Sequence, residues 1–446
     1  MALSRLLLRR ARVLLRAMHP SRVVLGGYLS YVAAGWLLLC LPWASVAAVP
    51  ALDNLFTAVS AMSTTGLATV SVGTRYTLFG QIVVLALIQL GGVGYMTLGS
   101  FLVLSRRPDL TAVRSGVART VFSLPASFEA APFLRSVIRF TLAIELAGAV
   151  ALYFILRDAG VAQPAWSAVF HSVSSFCTAG FSLFDTSFEG FALDVRLNAV
   201  VAVLSYLGAI GFIVCVDLWR RLRGEVRRST LTSRIILVAT LALTVLGTAA
   251  LYLDEPSIRH LARGERLLAS FFQCMTALTT VGFNTIPIGT LSNASLVVLL
   301  VLMVIGASPS GTGGGVKSTS ISAVLGVMWS AVRGSQEVRF WGKAVPVERV
   351  WMAFATLGLY LAALAAGVYL LELTESTPFE RNVFEAASAL GTVGLSTGIT
   401  VGLTAAGKVI VIALMLVGRV GPLTFGASLF YGRTRERPAA VEDLAI

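Results

Sequence analysis

The chain has 446 residues, 56% hydrophobic and 13% charged, with a formal net charge of +13. That charged share is about half the usual one for a soluble domain, which excludes a water-soluble enzyme and points to a polytopic membrane protein. The basic excess alone would suit nucleic acid, but its placement in the loops argues against any nucleic-acid partner.

Residues 1–22 hold six Arg among Leu and Val with no small-residue cleavage site, so a basic cytoplasmic segment is expected rather than a signal peptide. A first span over Val23–Ala48 is long enough to cross roughly 30 Å of hydrocarbon. The short stretch Asn54–Val70 follows, then a second span over Thr77–Leu104. The same order recurs three times. Spans Ser136–Leu156 and Leu197–Leu218 flank Ala168–Phe184, and spans Ile235–Leu253 and Leu296–Trp329 flank Ser270–Thr285. Spans Val350–Leu371 and Lys408–Tyr431 flank Asn382–Ile399. The units are thus 23–104, 135–220, 234–333 and 349–432, with loops 54–70, 168–184, 270–287 and 382–399 and a cytoplasmic tail 433–446. Each unit is span, short segment, span, giving eight crossings.

Aligned on Gly66, Gly180, Gly282 and Gly394, the short stretches fall into register. Phe stands ten residues earlier (Phe56, Phe170, Phe272, Phe384), Ser or Thr six earlier (Ser60, Ser174, Thr276, Ser388), and Thr two earlier (Thr64, Thr178, Thr280, Thr392). The glycines are 114, 102 and 112 residues apart, so one unit is repeated four times.

Charge sets the orientation. Of 35 Lys and Arg, 26 lie before the first span, after the last, or in and beside the segments that join one unit to the next. The positive-inside bias therefore places both termini in the cytoplasm and the four short stretches outside. Arg259, Arg263 and Arg266 break the trend, softened by Asp254, Glu255 and Glu265 among them.

About ten residues of helix are too short to cross a bilayer, so each short stretch enters and leaves by one face. Its extended return survives at membrane depth only if buried by protein or lining water, and Gly helps aim its carbonyls. Four such loops around one axis would give carbonyl rings able to replace the hydration shell of a monovalent cation, with four helix C-termini pointing inward. The candidate filter is Thr64, Thr65 and Gly66; Thr178, Ala179 and Gly180; Thr280, Val281 and Gly282; and Thr392, Val393 and Gly394. Asp53, Asp158, Asp185, Glu189, Glu375 and Glu380 near the mouth would concentrate cations. The plainer reading, small residues that let helices pack, explains one copy but not four in register. Cys40, Cys177, Cys215 and Cys274 have no metal or disulfide spacing and read as small buried hydrophobes.

Gly306–Gly315 holds five Gly, two Ser, a Thr and a Pro, which cannot stay helical at mid-membrane, so it must sit in the water-filled cavity under the filter. Its likeness to a phosphate loop fails because Val316 takes the second Gly position and an apolar span precedes it. Arg419 lies about eleven residues into the last span, where a charge usually faces a cavity and would repel cations. Lys317 either joins that barrier or marks where the helix resumes. Glu145 is a further intramembrane charge, expected to be structurally paired, and His171 is expected to be a packing residue.

TTGL, TAGF, TVGF and TVGL on a fourfold span–pore–span unit resemble the Trk/Ktr/HKT potassium transporters over nearly the whole chain. QLGGVGYMTLG (Gln89–Gly99), GASPSGTGGGVKSTS (Gly306–Ser320) and GRVGPLT (Gly418–Thr424) also match, and eight spans without extra leading ones are most similar to the KtrB type. The resemblance implies an all-α integral membrane protein of four pseudo-fourfold repeats around a central ion pore, in a bacterial cell membrane. It implies potassium as the transported ion, since relatives that favour sodium carry Ser where Gly66 stands. Each loop lacks the Tyr-Gly that follows in potassium channels, so a shorter filter is expected. The resemblance further makes Gly306, Ser308, Ser310, Gly311, Thr312, Gly313, Gly314 and Gly315, with Arg419, the intramembrane gate. A homodimer, a cytoplasmic nucleotide-binding KtrA-type partner and sodium as activator are implied as well. No organic cofactor and no covalent chemistry are expected on this chain. The alternatives are a sodium-permeable or poorly selective cation pathway, and an inverted-repeat symporter. The second is weak, because two-span units all share one orientation.

Overall fold

The computed structural model describes residues 20–94, 130–225 and 229–430. Most of the expected basic segment 1–22, the end of the first unit's second span and the tail 433–446 lie outside the described residues.

The described chain is mostly helical, with almost no strand. Unit one is α1 (Pro20–Leu39), α2 (Ala51–Met62) and α3 (Leu78–Val93). Unit two is α4 (Ala130–Asp158), α5 (Pro164–Phe176), α6 (Val195–Ala209) and α7 (Phe212–Leu222). Unit three is α8 (Leu231–Asp254), α9 (Arg263–Thr279), α10 (Asn293–Ile305) and α11 (Ser318–Val332). Unit four is α12 (Val347–Thr374), α13 (Phe379–Gly391), α14 (Ala405–Val420) and α15 (Pro422–Phe430). Between units three and four, β1 (Arg339–Phe340) and β2 (Lys343–Ala344) form an antiparallel hairpin beside α11.

Stretches inside α4, α8 and α12 are long and apolar enough to cross a membrane, yet only 28%, 22% and 17% of their most apolar windows is buried. Leu142, Leu146, Leu241, Val245 and Tyr369 stay exposed, which in water would be a large unsatisfied apolar surface. The chain is a multi-pass membrane protein whose long helices face lipid. Helices α2, α5, α9 and α13 lie inside that layer, each packed on helices of its own unit. Their phenylalanines, Phe56, Phe170, Phe272 and Phe384, are fully buried.

Two expectations about the spans are corrected. The first span does not continue to Ala48: α1 stops at Leu39, and the next residues turn, held by the Thr77 hydroxyl on Trp43 O at 2.8 Å. The second spans of units one, two and four are not continuous either. They break or end at Gly94 (φ 90°), Gly211 (φ 89°) and Gly421 (φ 88°), matching Gly306 (φ 56°) in unit three. At Gly211 the chain bends by 100° between α6 and α7. That backbone region is open to Gly and strained for other residues. Three residues before each of these breaks, Gly91, Gly208 and Gly418 lie against the last carbonyls of the short helices, Met62 O, Phe176 O and Leu390 O, where any Cβ would collide.

Candidate ion pathway

The site starts where each short helix stops. Thr64, Thr178, Thr280 and Thr392 all take the left-handed conformation, at φ 52°, 49°, 58° and 48°. A β-branched residue there is a strained outlier, and the same strain at four equivalent positions marks a constrained site. It is held by the next residue's amide, which turns back to a carbonyl five residues earlier. Thr65 N–H donates to Ser60 O at 2.9 Å, Ala179 to Ser174 O at 2.8 Å, Val281 to Thr276 O at 3.1 Å and Val393 to Ser388 O at 2.9 Å.

The Ser/Thr position six before each Gly now has a structural role. The hydroxyls of Ser60 and Ser388 each accept the filter-glycine N–H, from Gly66 and Gly394, at 3.1 Å. Ser174 instead donates to Phe181 O at 2.8 Å, while the Thr276 hydroxyl is buried without a partner. The fourfold pattern is therefore approximate in its side chains and close in its backbone.

The four loops close on one another. A Cβ at Gly66 would strike Ala179 O, one at Gly180 would strike Val281 O, one at Gly282 would strike Val393 O, and one at Gly394 would strike Thr65 O. The last contact returns to the first loop, so the twelve sequence-predicted filter residues form one ring. Its oxygens gather where four short helices end, each with a partially negative terminus.

The predicted gate loop lies against that ring through Thr312, Gly313 and Gly314. Its backbone occupies the break in unit two's second span: Ser308 N–H donates to Ala209 O and Thr312 N–H to Gly208 O, both at 3.0 Å. In return Phe212 N–H donates to Ser310 O at 3.1 Å. Gly311 sits against Ala209 O, Gly313 against Thr280, and Gly306 against Gly315, with no room for a Cβ at any of them. The loop also meets all four left-handed threonines of the ring. The Thr312 hydroxyl lies 3.1 Å from that of Thr178, and the Thr64 hydroxyl donates to Thr312 O at 3.5 Å. Gly314 N–H donates to the Thr280 hydroxyl at 3.0 Å, and Gly314 packs directly on the Thr392 hydroxyl.

Arg419 completes this layer. Its guanidinium donates to the Thr64 hydroxyl at 2.8 Å, to Thr312 O at 2.5 Å and to Gly91 O. Lys317 joins it, donating to Gly313 O at 2.7 Å, while also standing at the start of α11. Arg419 thus ties a loop carbonyl to the ring, and Lys317 holds a second loop carbonyl beside it.

Glu145 pairs with Gln89, whose amide donates at 3.1 Å, and with the Cys177 thiol at 3.6 Å. His171 is buried, with one ring nitrogen on Ser167 O at 2.7 Å and a ring stack on Phe184 at 4.7 Å. Cys177 and Cys274 are buried, but Cys215 is half-buried and Cys40 exposed, which corrects that expectation. The acids near the mouth are mostly engaged: Asp53 binds Lys408 at 2.6 Å, Asp158 Arg157 at 3.1 Å, and Glu189 the Asn284 amide at 2.7 Å. Sequence reasoning passed over Lys408, Gln89 and Glu385. Only Glu385, a carboxyl inside a short apolar helix, left a signal.

The family model described as TrkH, cation transport protein, matches residues 33–428. A Ktr system potassium uptake protein B of Vibrio alginolyticus is 33% identical over 94% of this chain and 92% of its own. The potassium/sodium uptake protein NtpJ of Enterococcus hirae is 31% identical over 94% of this chain and 95% of its own. The crystal structure of the potassium transporter TrkH from Vibrio parahaemolyticus shares the fold, with TM-score 0.72 at 19% identity over 92% of this chain and 86% of that one. The closed ring, the loop beneath it and these matches have one common conclusion: the chain belongs to the TrkH family of cation transport proteins, which are transporters and not enzymes.

Proposed function

We propose that the chain takes up potassium ions through a channel-like path, selected by backbone oxygens of the ring at Thr64–Gly66, Thr178–Gly180, Thr280–Gly282 and Thr392–Gly394. The single observation that carries this reading is the cyclic closure of the four loops, each glycine facing its neighbour's carbonyl. Such a cluster of uncharged oxygens at four helix C-termini suits a dehydrated monovalent cation. The loop Gly306–Gly315 with Arg419 and Lys317 is the gate, because it touches all four left-handed threonines of the ring and brings positive charge beneath them.

The orientation follows the charge bias: both termini cytoplasmic, the ring toward the outside, in a bacterial cell membrane. A cytoplasmic nucleotide-binding subunit of KtrA type moves the gate, the chain works as a homodimer, and sodium stimulates uptake. These three rest on the family resemblance, and the name of the Vibrio alginolyticus relative as part of a Ktr system supports the partner. A second reading, a path that also passes sodium, is favoured by the name of the Enterococcus relative.

Expression in a bacterium deficient in potassium uptake, with and without a KtrA-type subunit, tests the proposal. Growth at low potassium only with the chain present supports it. No rescue with the partner, alongside sodium flux in vesicles, decides for the second reading.

A further inference from the structure

Nine residues before each filter glycine stand Thr57, His171, Gln273 and Glu385, four different side chains in one register. All four are buried. Three of them, His171, Gln273 and Glu385, bond from the short helix to the part of their own loop that returns after the glycine, whereas Thr57 meets a side chain beyond its loop. The Gln273 carbonyl accepts Thr285 N–H at 3.2 Å. His171 Nε2 accepts Leu183 N–H at 3.3 Å and lies 3.0 Å from the Ser182 hydroxyl. Thr57 pairs with the Tyr76 hydroxyl at 3.3 Å.

Glu385 has the fullest set. One carboxyl oxygen accepts the Ser396 hydroxyl at 2.7 Å, and the other accepts the Thr400 hydroxyl. Those two hydroxyls are 2.9 Å apart, and Ser396 in turn accepts Gly398 N–H at 3.0 Å. The chain held this way also seats the preceding unit: Thr397 O packs on Gly289 of unit three, as Leu183 O of unit two packs on Gly73 of unit one. A side chain at this register therefore fixes both its own loop and the neighbour against it.

Deepening the proposed potassium pathway, on which it rests, we infer that His171, Gln273 and Glu385 are positioning residues for the ring, and that Glu385 sets ion selectivity from behind the filter. Neither carboxyl oxygen needs to touch an ion. The side chain holds the returning backbone in place, and an ion-coordinating site loses discrimination once its oxygens can relax around a smaller cation.

Full-length protein in lipid vesicles tests this with Glu385→Ala, which removes both acceptors, and Glu385→Gln, which installs the amide that Gln273 uses at the same register. Ser396→Ala with Thr400→Val removes the partners from the other side and leaves α13 intact, should Glu385→Ala fail to fold. The alanine variant and the double variant are expected to lower the ratio of potassium to sodium flux about tenfold, while glutamine stays within about twofold of wild type. A ratio unchanged in the folded alanine or double variant overturns the inference. Hydrogen exchange over 394–404 reads the clamp without any transport. Faster exchange confined to that segment is expected in both variants, and unchanged exchange there overturns the clamp whatever the flux. A wild-type chain that carries no potassium, with the exchange result intact, removes the proposed function instead.

Discussion

The Arg419 guanidinium donates to the Thr64 hydroxyl at 2.8 Å, which ties the last broken span to the first of four left-handed threonines. The same group holds Thr312 O, so the cation sits between gate loop and ring. A unit charge a few ångströms from a cation path is worth about 4 kcal/mol at an effective dielectric of 20. Arg419→Ala should therefore raise partner-independent potassium flux at least about tenfold, whereas Arg419→Lys, which keeps the charge, should raise it far less. Vesicle flux of the alanine variant at or below wild type would contradict the barrier role.

Removing Ser310–Gly315 tests the loop itself. Those residues supply Thr312 and Gly314, which meet all four left-handed threonines of the ring. Flux through liposomes should rise and lose its dependence on a cytoplasmic partner. The fold should persist, because the loop's backbone bonds go to the ends of α6 and α7 and not to any helix interior. Flux no higher than wild type would sink the gate.

Much of this was legible in the sequence, and what was not has a physical cause. The four Thr-x-Gly copies stood out because the backbone they encode is demanding: a left-handed threonine, then a glycine against a carbonyl, repeated four times. The gate loop stood out through its run of Gly, Ser, Thr and Pro, and its gating role came only from the family resemblance. The breaks at Gly94, Gly211 and Gly421 did not, since one glycine among Leu, Val and Ile leaves the hydropathy of a span unchanged. Their signal was the pair three apart, Gly91 with Gly94, Gly208 with Gly211 and Gly418 with Gly421, one lying on a short helix's end and one turning the chain. The Asp53–Lys408 pair was out of reach, because no periodicity links residues 355 apart.

Gly66→Ser probes the ring where its first loop meets the second. Gly66 has φ 94°, and a Cβ there would collide with Ala179 O. The left-handed backbone alone costs a non-glycine residue about 1–2 kcal/mol, roughly a tenfold effect on a competing equilibrium. The loop must shift, widening the oxygen cluster toward unit two. Potassium uptake should fall and the potassium-to-sodium ratio should drop about tenfold or more. Competitive uptake of the two ions in whole cells measures this, and an unaltered ratio would remove Gly66 from the filter.

The chain passes from unit one to two, two to three and three to four through its own linkers, but nothing covalent joins unit four to unit one. Asp53, in the first turn of α2, and Lys408, in the first turn of α14, add a 2.6 Å ion pair to that closure, beside the contact of Arg419 with Thr64. Their side chains are only 8% and 17% exposed, so salt screens them little. Removing one partner strands the other's charge, and Lys408→Met or Asp53→Leu should each lower stability by about 2–4 kcal/mol. The double variant Asp53→Leu with Lys408→Met should recover most of that loss, because two apolar side chains meet where two charges were desolvated. Thermal unfolding in detergent distinguishes the cases. If the pair only decorated the mouth, each single variant would melt with wild type and the ring would need no clasp between its first and last quarter.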